Sequence, residues 1–176
     1  MIGLERLTLL SDYIVVNVSS PNTEGLRALQ ARESLTRLLS ASMDARARAA
    51  TNITKMPPLL VKVAPDLDTS EMHDIAGVVV SSGIDGLVIG NTTIERPADL
   101  HSTDKSQAGG LSGKPLMEKS TECLAEFYRL TEGKIPLVGC GGIASGADAY
   151  AKIRAGASLV QLYTALVFQG PGLVYS

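Results

Sequence analysis

Tryptophan is absent from the 176 residues, and phenylalanine and tyrosine number two and five. So few rings leave little for unpaired bases to stack on, which argues against single-stranded nucleic acid as a ligand. No basic excess exists either: 16 Lys and Arg face 18 Asp and Glu, for a formal net charge of −2. Nucleic acid is therefore not an expected partner. The two cysteines, Cys123 and Cys140, stand far apart with no metal-ligand spacing, so no metal is expected and a reducing compartment is the simplest setting. No apolar run approaches the roughly 20 residues needed to cross a bilayer. No charged n-region followed by an apolar h-region opens the chain, so no signal peptide is expected. Asn52-Ile53-Thr54 and Asn91-Thr92-Thr93 fit the glycosylation pattern and are read as chance on that ground.

What is present is 45% hydrophobic and long enough for one core. Neither a domain boundary nor a low-complexity linker interrupts it, so residues 1–176 read as a single domain. Five short apolar runs recur, at 13–18, 59–64, 86–89, 135–139 and 158–163, rich in Val, Ile and Leu. None alternates strictly, as a half-exposed antiparallel strand would. Helical patterns separate them. Leu35, Leu38, Leu39 and Met43 keep one apolar face, and Met72, Ile75, Ala76, Val79 and Val80 form an amphipathic stripe. Asp68 and Glu71 have capping-box spacing, and Gly83 ends that helix. A third helix is expected from about 115 to 131, with Leu116, Leu124 and Phe127 inward and Gly133 as its stop. A fourth begins at Ser145, turns Ala149 and Ile153 inward, and closes at Gly156. Strand and helix in alternation predict βαβ units and a parallel sheet.

Two parallel architectures compete. A doubly wound sheet carries a glycine-rich turn after its first strand, and this chain has none after Val18. A (β/α)₈ barrel binds phosphate in the loops after its last two strands. Gly139-Cys140-Gly141-Gly142 follows the fourth run, and Tyr163-Thr164 ends the fifth. The fold expected is therefore α/β, a partial (β/α)₈ TIM barrel of approximately strands four to eight. The length, short of the ~250 residues typical of the whole barrel, agrees with first strands and a last helix being missing.

The first run leads into Asn17-Val18-Ser19-Ser20-Pro21-Asn22-Thr23, with two amides, three hydroxyls and a proline. Polar groups at the C-terminal end of a parallel strand are where barrels place their chemistry. A plain turn with Asn22 or Thr23 capping a helix reads equally well from these residues alone. Lys62 stands inside the apolar Leu59-Leu60-Val61-Lys62-Val63-Ala64, where a charge is costly without a partner. A snorkelling lysine or a structural ion pair is the competing reading.

Taken together, these blocks resemble the dihydroorotate dehydrogenases. The motifs are 17–23, Leu60-Val61-Lys62-Val63-Ala64-Pro65-Asp66-Leu67, Asn91-Thr92-Thr93, Gly109-Gly110-Leu111-Ser112-Gly113-Lys114-Pro115, Gly139-Cys140-Gly141-Gly142-Ile143 and the block 155–164. Their order and spacing carry the resemblance, which spans about residues 3 to 174. It implies oxidation of dihydroorotate to orotate on flavin mononucleotide (FMN), a step of pyrimidine synthesis. Ser20 matches the catalytic base; because the cytosolic class has cysteine there, serine resembles the quinone-linked class. Thr23 matches a residue that helps relay the proton. Asn17, Ser20, Asn22, Asn91 and Thr92 match the substrate site, where amide side chains suit a dihydropyrimidine ring. Lys62 matches a catalytic lysine at the flavin edge, where reduction develops negative charge. Asn17, Lys62, Gly90, Ser112, Gly113, Gly141, Gly142, Tyr163 and Thr164 match the flavin site, with the helix at Ser145 adding its dipole to a phosphate. Gly90 departs from the threonine often found before Asn-Thr-Thr, which removes a side-chain contact and leaves the main chain.

Residues 94–108 form a long polar stretch after Asn91, read as a lid. His73 and His101 match no motif and read as solvated surface groups. The resemblance further implies quinone (ubiquinone) and membrane partners through an N-terminal segment that this chain lacks. It also places the full-length family at the mitochondrial inner or bacterial cytoplasmic membrane. By itself the truncated chain is expected to be inactive. The alternative function is another FMN- or sugar-phosphate-binding barrel.

Overall fold

A computed structural model describes residues 2–50 and 55–175, so Asn52-Ile53-Thr54 lies outside the described residues. Each of the five apolar runs holds a strand: β1 (Ile14–Asn17), β2 (Leu59–Val63), β3 (Gly86–Ile89), β4 (Leu137–Cys140) and β5 (Leu159–Gln161). All neighbours pair in parallel, in the order β1-β2-β3-β4-β5. A doubly wound sheet reverses its strand order at a switch point, and this one does not. The sheet is a barrel arc.

Register explains the division of labour between its faces. Val16, Val61, Leu87 and Leu137 form one row across four strands. Residues one step along a strand point the other way, so Asn17, Lys62, Val88 and Val138 form the next row on the opposite face. The first face carries the helices α2 (Arg32–Ala49), α3 (Thr69–Ser82), α4 (Met117–Thr131) and α5 (Gly146–Arg154), each packed on the next. Leu35, Leu39, Ile75, Leu124 and Phe127 are fully buried against Leu59, Val61, Val63, Leu87 and Leu137. Each such side chain contributes about 1.5–3 kcal/mol by leaving water.

The caps follow the local chemistry. Asp68 accepts from the Glu71 amide while Glu71 accepts from the Asp68 amide, and α3 ends at Gly83. One 3₁₀ turn, Lys114–Leu116, precedes α4, which ends with Glu132 itself in the left-handed region one residue before Gly133. Ser145 caps α5 by accepting from the Asp148 amide.

Three features differ from the sequence expectation. A non-alternating apolar run such as that of β1 implies cover on both faces, but Ile14, Val15 and Val16 are only half-buried and Asn17 is exposed. β1 is an edge strand with β2 on one side, so only part of its surface is covered. In α5 the inward residue is Lys152, fully buried, whereas Ile153 is 46% exposed. Two short helices were not anticipated: α1 (Ile2–Thr8), packed on α2, and α6 (Thr164–Gln169) directly after β5.

Candidate functional site

Parallel strands deliver their C-terminal ends to one rim, and a cleft of about 660 Å³ opens there, within the size range of cofactor sites. Lys62, Asn91, Thr92, Ser112, Gly113, Gly141, Gly142, Tyr163 and Thr164 line it. Nine residues singled out from sequence, spread over five segments, thus face one space. Asn17, Ser20, Asn22, Thr23 and Gly90 do not line it. Gly90 is buried behind Asn91, where a Cβ would stand 3.3 Å from Pro65.

Lys62 is half-buried, and its ammonium donates to Gln161 Oε1 at 3.1 Å and to Cys140 Sγ at 3.8 Å. Neither acceptor is a carboxylate, so the ion-pair reading of Lys62 is not what the fold uses among the described residues. Thr92 Oγ1 is buried without a hydrogen-bond partner among the described residues. A half-buried cation without an ion-pair partner among the described residues is an open valence toward a polar, anionic ligand, whereas the Thr92 hydroxyl is turned against Gly110, where a Cβ would stand 1.9 Å from Oγ1.

The stretch from Asn17 to Thr23 adjoins this cleft through Asn91. The Asn91 amide donates to Ser19 Oγ at 2.8 Å and to Asn17 Oδ1 at 3.5 Å, and Ser19 Oγ donates to Asn17 Oδ1 at 2.6 Å. Ser20 Oγ accepts from the Asn22 backbone N–H at 3.2 Å, a contact that favours negative charge on that oxygen. Asn22 Oδ1 accepts from the Gly110 amide. Neither Asn22 nor Thr23 caps a helix; Gly25 precedes the 3₁₀ turn Leu26–Gln30, and Ala31 precedes α2. Thr23 is exposed, and no hydrogen bond joins its hydroxyl to Ser20 among the described residues.

Two residues that sequence reasoning missed hold this geometry together. Arg27 donates from Nε to Ser19 O at 3.0 Å, from Nη1 to Asp66 Oδ2 at 2.9 Å and from Nη2 to Thr92 O at 3.0 Å. One planar guanidinium therefore ties the tails of β1, β2 and β3, a task suited to its rigid fork. Asp66 also accepts from the Thr93 hydroxyl and the Ile94 amide and pairs with Lys119. Burial pushes its pKa up, yet those hydrogen bonds and the Arg27 charge outweigh burial and hold it below the usual carboxylate range. Asp66 stood inside the Ala64-Pro65-Asp66-Leu67 block, the one available signal. Arg27 offered none.

At the far end of the cleft, Thr164 Oγ1 donates to Ser112 Oγ at 3.0 Å. Gly142 has φ 80°, and a Cβ there would stand 2.4 Å from Met117 Cα. Only glycine lets the backbone lie this close to α4 while lining the cleft. The dipole expected from α5 is not the one presented: Ser145 and Asp148 cap its first turn internally, and the helix start among the lining residues is α6, at Thr164 and Ala165.

Residues 94–108 carry no helix or strand and are largely exposed. A bridge between Thr93 and Leu111 closes the neck of the loop. Arg96 staples its interior, donating to Lys105 O, Gln107 O and Gly109 O at 2.8–3.0 Å. His73 and His101 are both exposed, as the solvated-surface reading expected.

A barrel arc with a cleft at the strand C-termini, lined by glycines and by Lys62, which forms no ion pair among the described residues, defines half of a barrel enzyme. Comparison with known proteins gives the family. The dihydroorotate dehydrogenase family model matches residues 1–176. A relative from Azorhizobium caulinodans, dihydroorotate dehydrogenase (quinone), is 59% identical over 172 residues, 98% of this chain and 48% of its own length. The mitochondrial dihydroorotate dehydrogenase (quinone) of Mus musculus is 54% identical over 98% of this chain and 43% of its length. In structure, the Eimeria tenella enzyme crystallised with ferulenol superposes with a TM-score of 0.93 at 42% identity, covering 99% of this chain and 50% of that one. The chain belongs to the dihydroorotate dehydrogenase family, and it spans about half the length of the curated relatives it matches.

Proposed function

We propose that these residues form the C-terminal half of the catalytic barrel of an FMN-dependent dihydroorotate dehydrogenase, which oxidises (S)-dihydroorotate to orotate for pyrimidine (UMP) synthesis with quinone as acceptor. The observation that carries this reading is the meeting of Lys62, Asn91, Thr92 and the Gly141–Gly142 turn in one cleft, beside Asn17 and Ser19. The donor set fits the flavin. Ser112, Gly113, Gly141, Gly142, Tyr163 and Thr164 would hold its phosphate and ribityl chain, and Lys62 its electron-rich edge. Bound there, FMN supplies the hydride acceptor that no side chain can provide.

The remaining work falls to the chain itself. Asn17, Asn22, Asn91 and Thr92 hold the substrate ring through its amide edges, since Asn supplies both a donor and an acceptor. Ser20 gives up its own hydroxyl proton, the Asn22 backbone N–H at 3.2 Å stabilises the negative charge left on Oγ, and that oxygen takes the proton from the carbon next to the one that loses hydride. Thr23, exposed three residues on, passes the proton outward by way of solvent, since no hydrogen bond joins its hydroxyl to Ser20 among the described residues. Lys62 neutralises the negative charge that grows on the flavin edge. The 94–108 loop covers the substrate.

Quinone and membrane contact are assigned to parts of the full-length protein outside these residues; among the described residues no helix is long and apolar enough to cross a membrane. β1 and β5 are open sheet edges here, with Tyr13 56% and Leu159 66% exposed, and such edges favour aggregation. The 176 residues alone are therefore expected to bind FMN weakly and to turn over no dihydroorotate; an active, cooperatively melting fragment would contradict this. The assignment is tested in the full-length protein by its flavin spectrum and by dihydroorotate-dependent quinone reduction. Ser20→Ala should slow flavin reduction while leaving flavin bound. Absence of turnover by the full-length protein, or of calorimetric orotate binding, would sink the reading.

A further inference from the structure

Lys152 is a buried cation that the reaction does not use. It is fully buried, and no carboxylate forms an ion pair with it among the described residues. The nearby Asp148 is occupied in capping α5. Its aliphatic stem crosses β4 at Gly139, where a Cβ would stand 3.2 Å from Lys152 Cβ. Its ammonium ends at the first turn of α4, donating to Ser120 Oγ and to Met117 O at 3.4 Å. This is the positive end of a helix, an unfavourable place for a cation. Burial and dipole both disfavour the charge, and no ion pair among the described residues offsets them.

The geometry shows what that position accomplishes. Ammonium is donor-only, so Ser120 Oγ accepts from it and keeps its single hydrogen for a carbonyl. That hydroxyl lies 3.0 Å from Gly141 O and 3.2 Å from Met117 O, and since Lys152 and the helix already supply donors to Met117 O, the shorter contact to Gly141 is the one we take it to make. The peptide joining Gly141 to Gly142 is planar, with its C=O and N–H pointing opposite ways. Holding Gly141 O toward the buried Ser120 turns the Gly142 N–H the other way. That N–H has no hydrogen-bond partner among the described residues, and Gly142 lines the cleft.

We propose that Lys152 is a positioning residue of the phosphate clamp. Through Ser120 it fixes the Gly141–Gly142 peptide so that the Gly142 N–H faces a phosphate in the cleft, and it is the buried counter-charge of that phosphate. This deepens the FMN reading and rests on it.

The test uses the full-length apoprotein titrated with FMN and with riboflavin, which lacks only the phosphate. Lys152→Met should weaken FMN roughly tenfold, the worth of one charge-assisted hydrogen bond, and leave riboflavin affinity unchanged. Ser120→Ala should reproduce the selective loss, and the double variant should lose no more than Lys152→Met alone. If Lys152→Met does not fold, the selectivity of Ser120→Ala decides. Parallel weakening of both ligands, or unchanged FMN affinity in a folded variant, overturns the proposal. A parent protein that binds FMN and riboflavin equally overturns the phosphate reading itself, and the proposal with it.

Discussion

Replacing Arg27 with methionine separates what holds the candidate site in place from what lines it. The Asp66 side chain is 8% exposed and that of Arg27 22%. Removing one partner of a buried pair costs about 3–5 kcal/mol because the other charge is stranded. Here the loss is smaller, since Asp66 keeps Lys119 at 3.4 Å together with the Thr93 hydroxyl and the Ile94 amide. We expect a destabilisation of about 2 kcal/mol, with a coupling of similar size in a double-mutant cycle with Asp66→Asn. The pH dependence has a defined sign. A carboxylate held below its ordinary value contributes stability above its unfolded pKa, near 3.9, and loses it as pH falls through the folded value. Arg27→Met should therefore shift the acid unfolding limb upward. The functional effect is distinct. Ser19 O and Thr92 O lose their shared donor, so Ser20 and Thr92 lose a common anchor. Dihydroorotate should then reduce the flavin more slowly, while the flavin spectrum remains, because Arg27 does not line the cleft. Arg27→Lys should not rescue, since one ammonium cannot span three acceptors in a plane. Melting curves of the four cycle members and stopped-flow reduction supply the readouts. A coupling near zero, or reduction by Arg27→Met at the parent rate, would refute the reasoning.

Lys62→Met should leave flavin bound and slow its reduction by about 10²–10³-fold, the worth of one preorganised charge at the reacting edge; an unchanged rate assigns Lys62 to structure alone. Gly142→Ala, which places a Cβ 2.4 Å from Met117 Cα at φ 80°, should abolish flavin retention through purification, read from the absorbance ratio. Stability should also follow pH through two buried groups. Burial lowers the Lys152 pKa to about 8, against the opposing pull of Cys140, Cys123 and Asp148, and burial raises the Cys123 thiol to about 12. From about 8 to 9 the unfolded chain holds the extra lysine proton, so stability should rise by up to ~1.4 kcal/mol per pH unit. Above about 9 the native thiol retains its proton while the unfolded one loses it, which cancels the rise. Urea titrations at three pH values check the slope, and Lys152→Met should remove it.

Much of this architecture was legible because it is local. Val, Ile and Leu runs separated by stripes such as Met72, Ile75, Ala76 and Val79 write strand and helix directly into neighbouring residues. Asp68 with Glu71 marks a helix start from three residues away. The late position of Gly141–Gly142 and Tyr163-Thr164 selected a barrel over a doubly wound sheet, and the strand order agrees.

Other features depend on groups far apart in the chain. Arg27 reaches Asp66 and Thr92 across 39 and 65 positions, and no periodicity announces such a contact. Lys152 and Ile153 are adjacent, and hydrophobicity alone turns the isoleucine inward; the fold buries the lysine because Gly139 leaves a channel for its stem and Ser120 waits at its end. β1 is half-bare because a strand's exposure depends on its neighbours as well as on its own residues. Short-range chemistry writes the succession of elements and the family's polar motifs into neighbouring residues. Which of those motifs share a cleft, which hydroxyl is left without a partner and which charge stands behind the glycines follow from packing, because burial and partnership are properties of the folded chain.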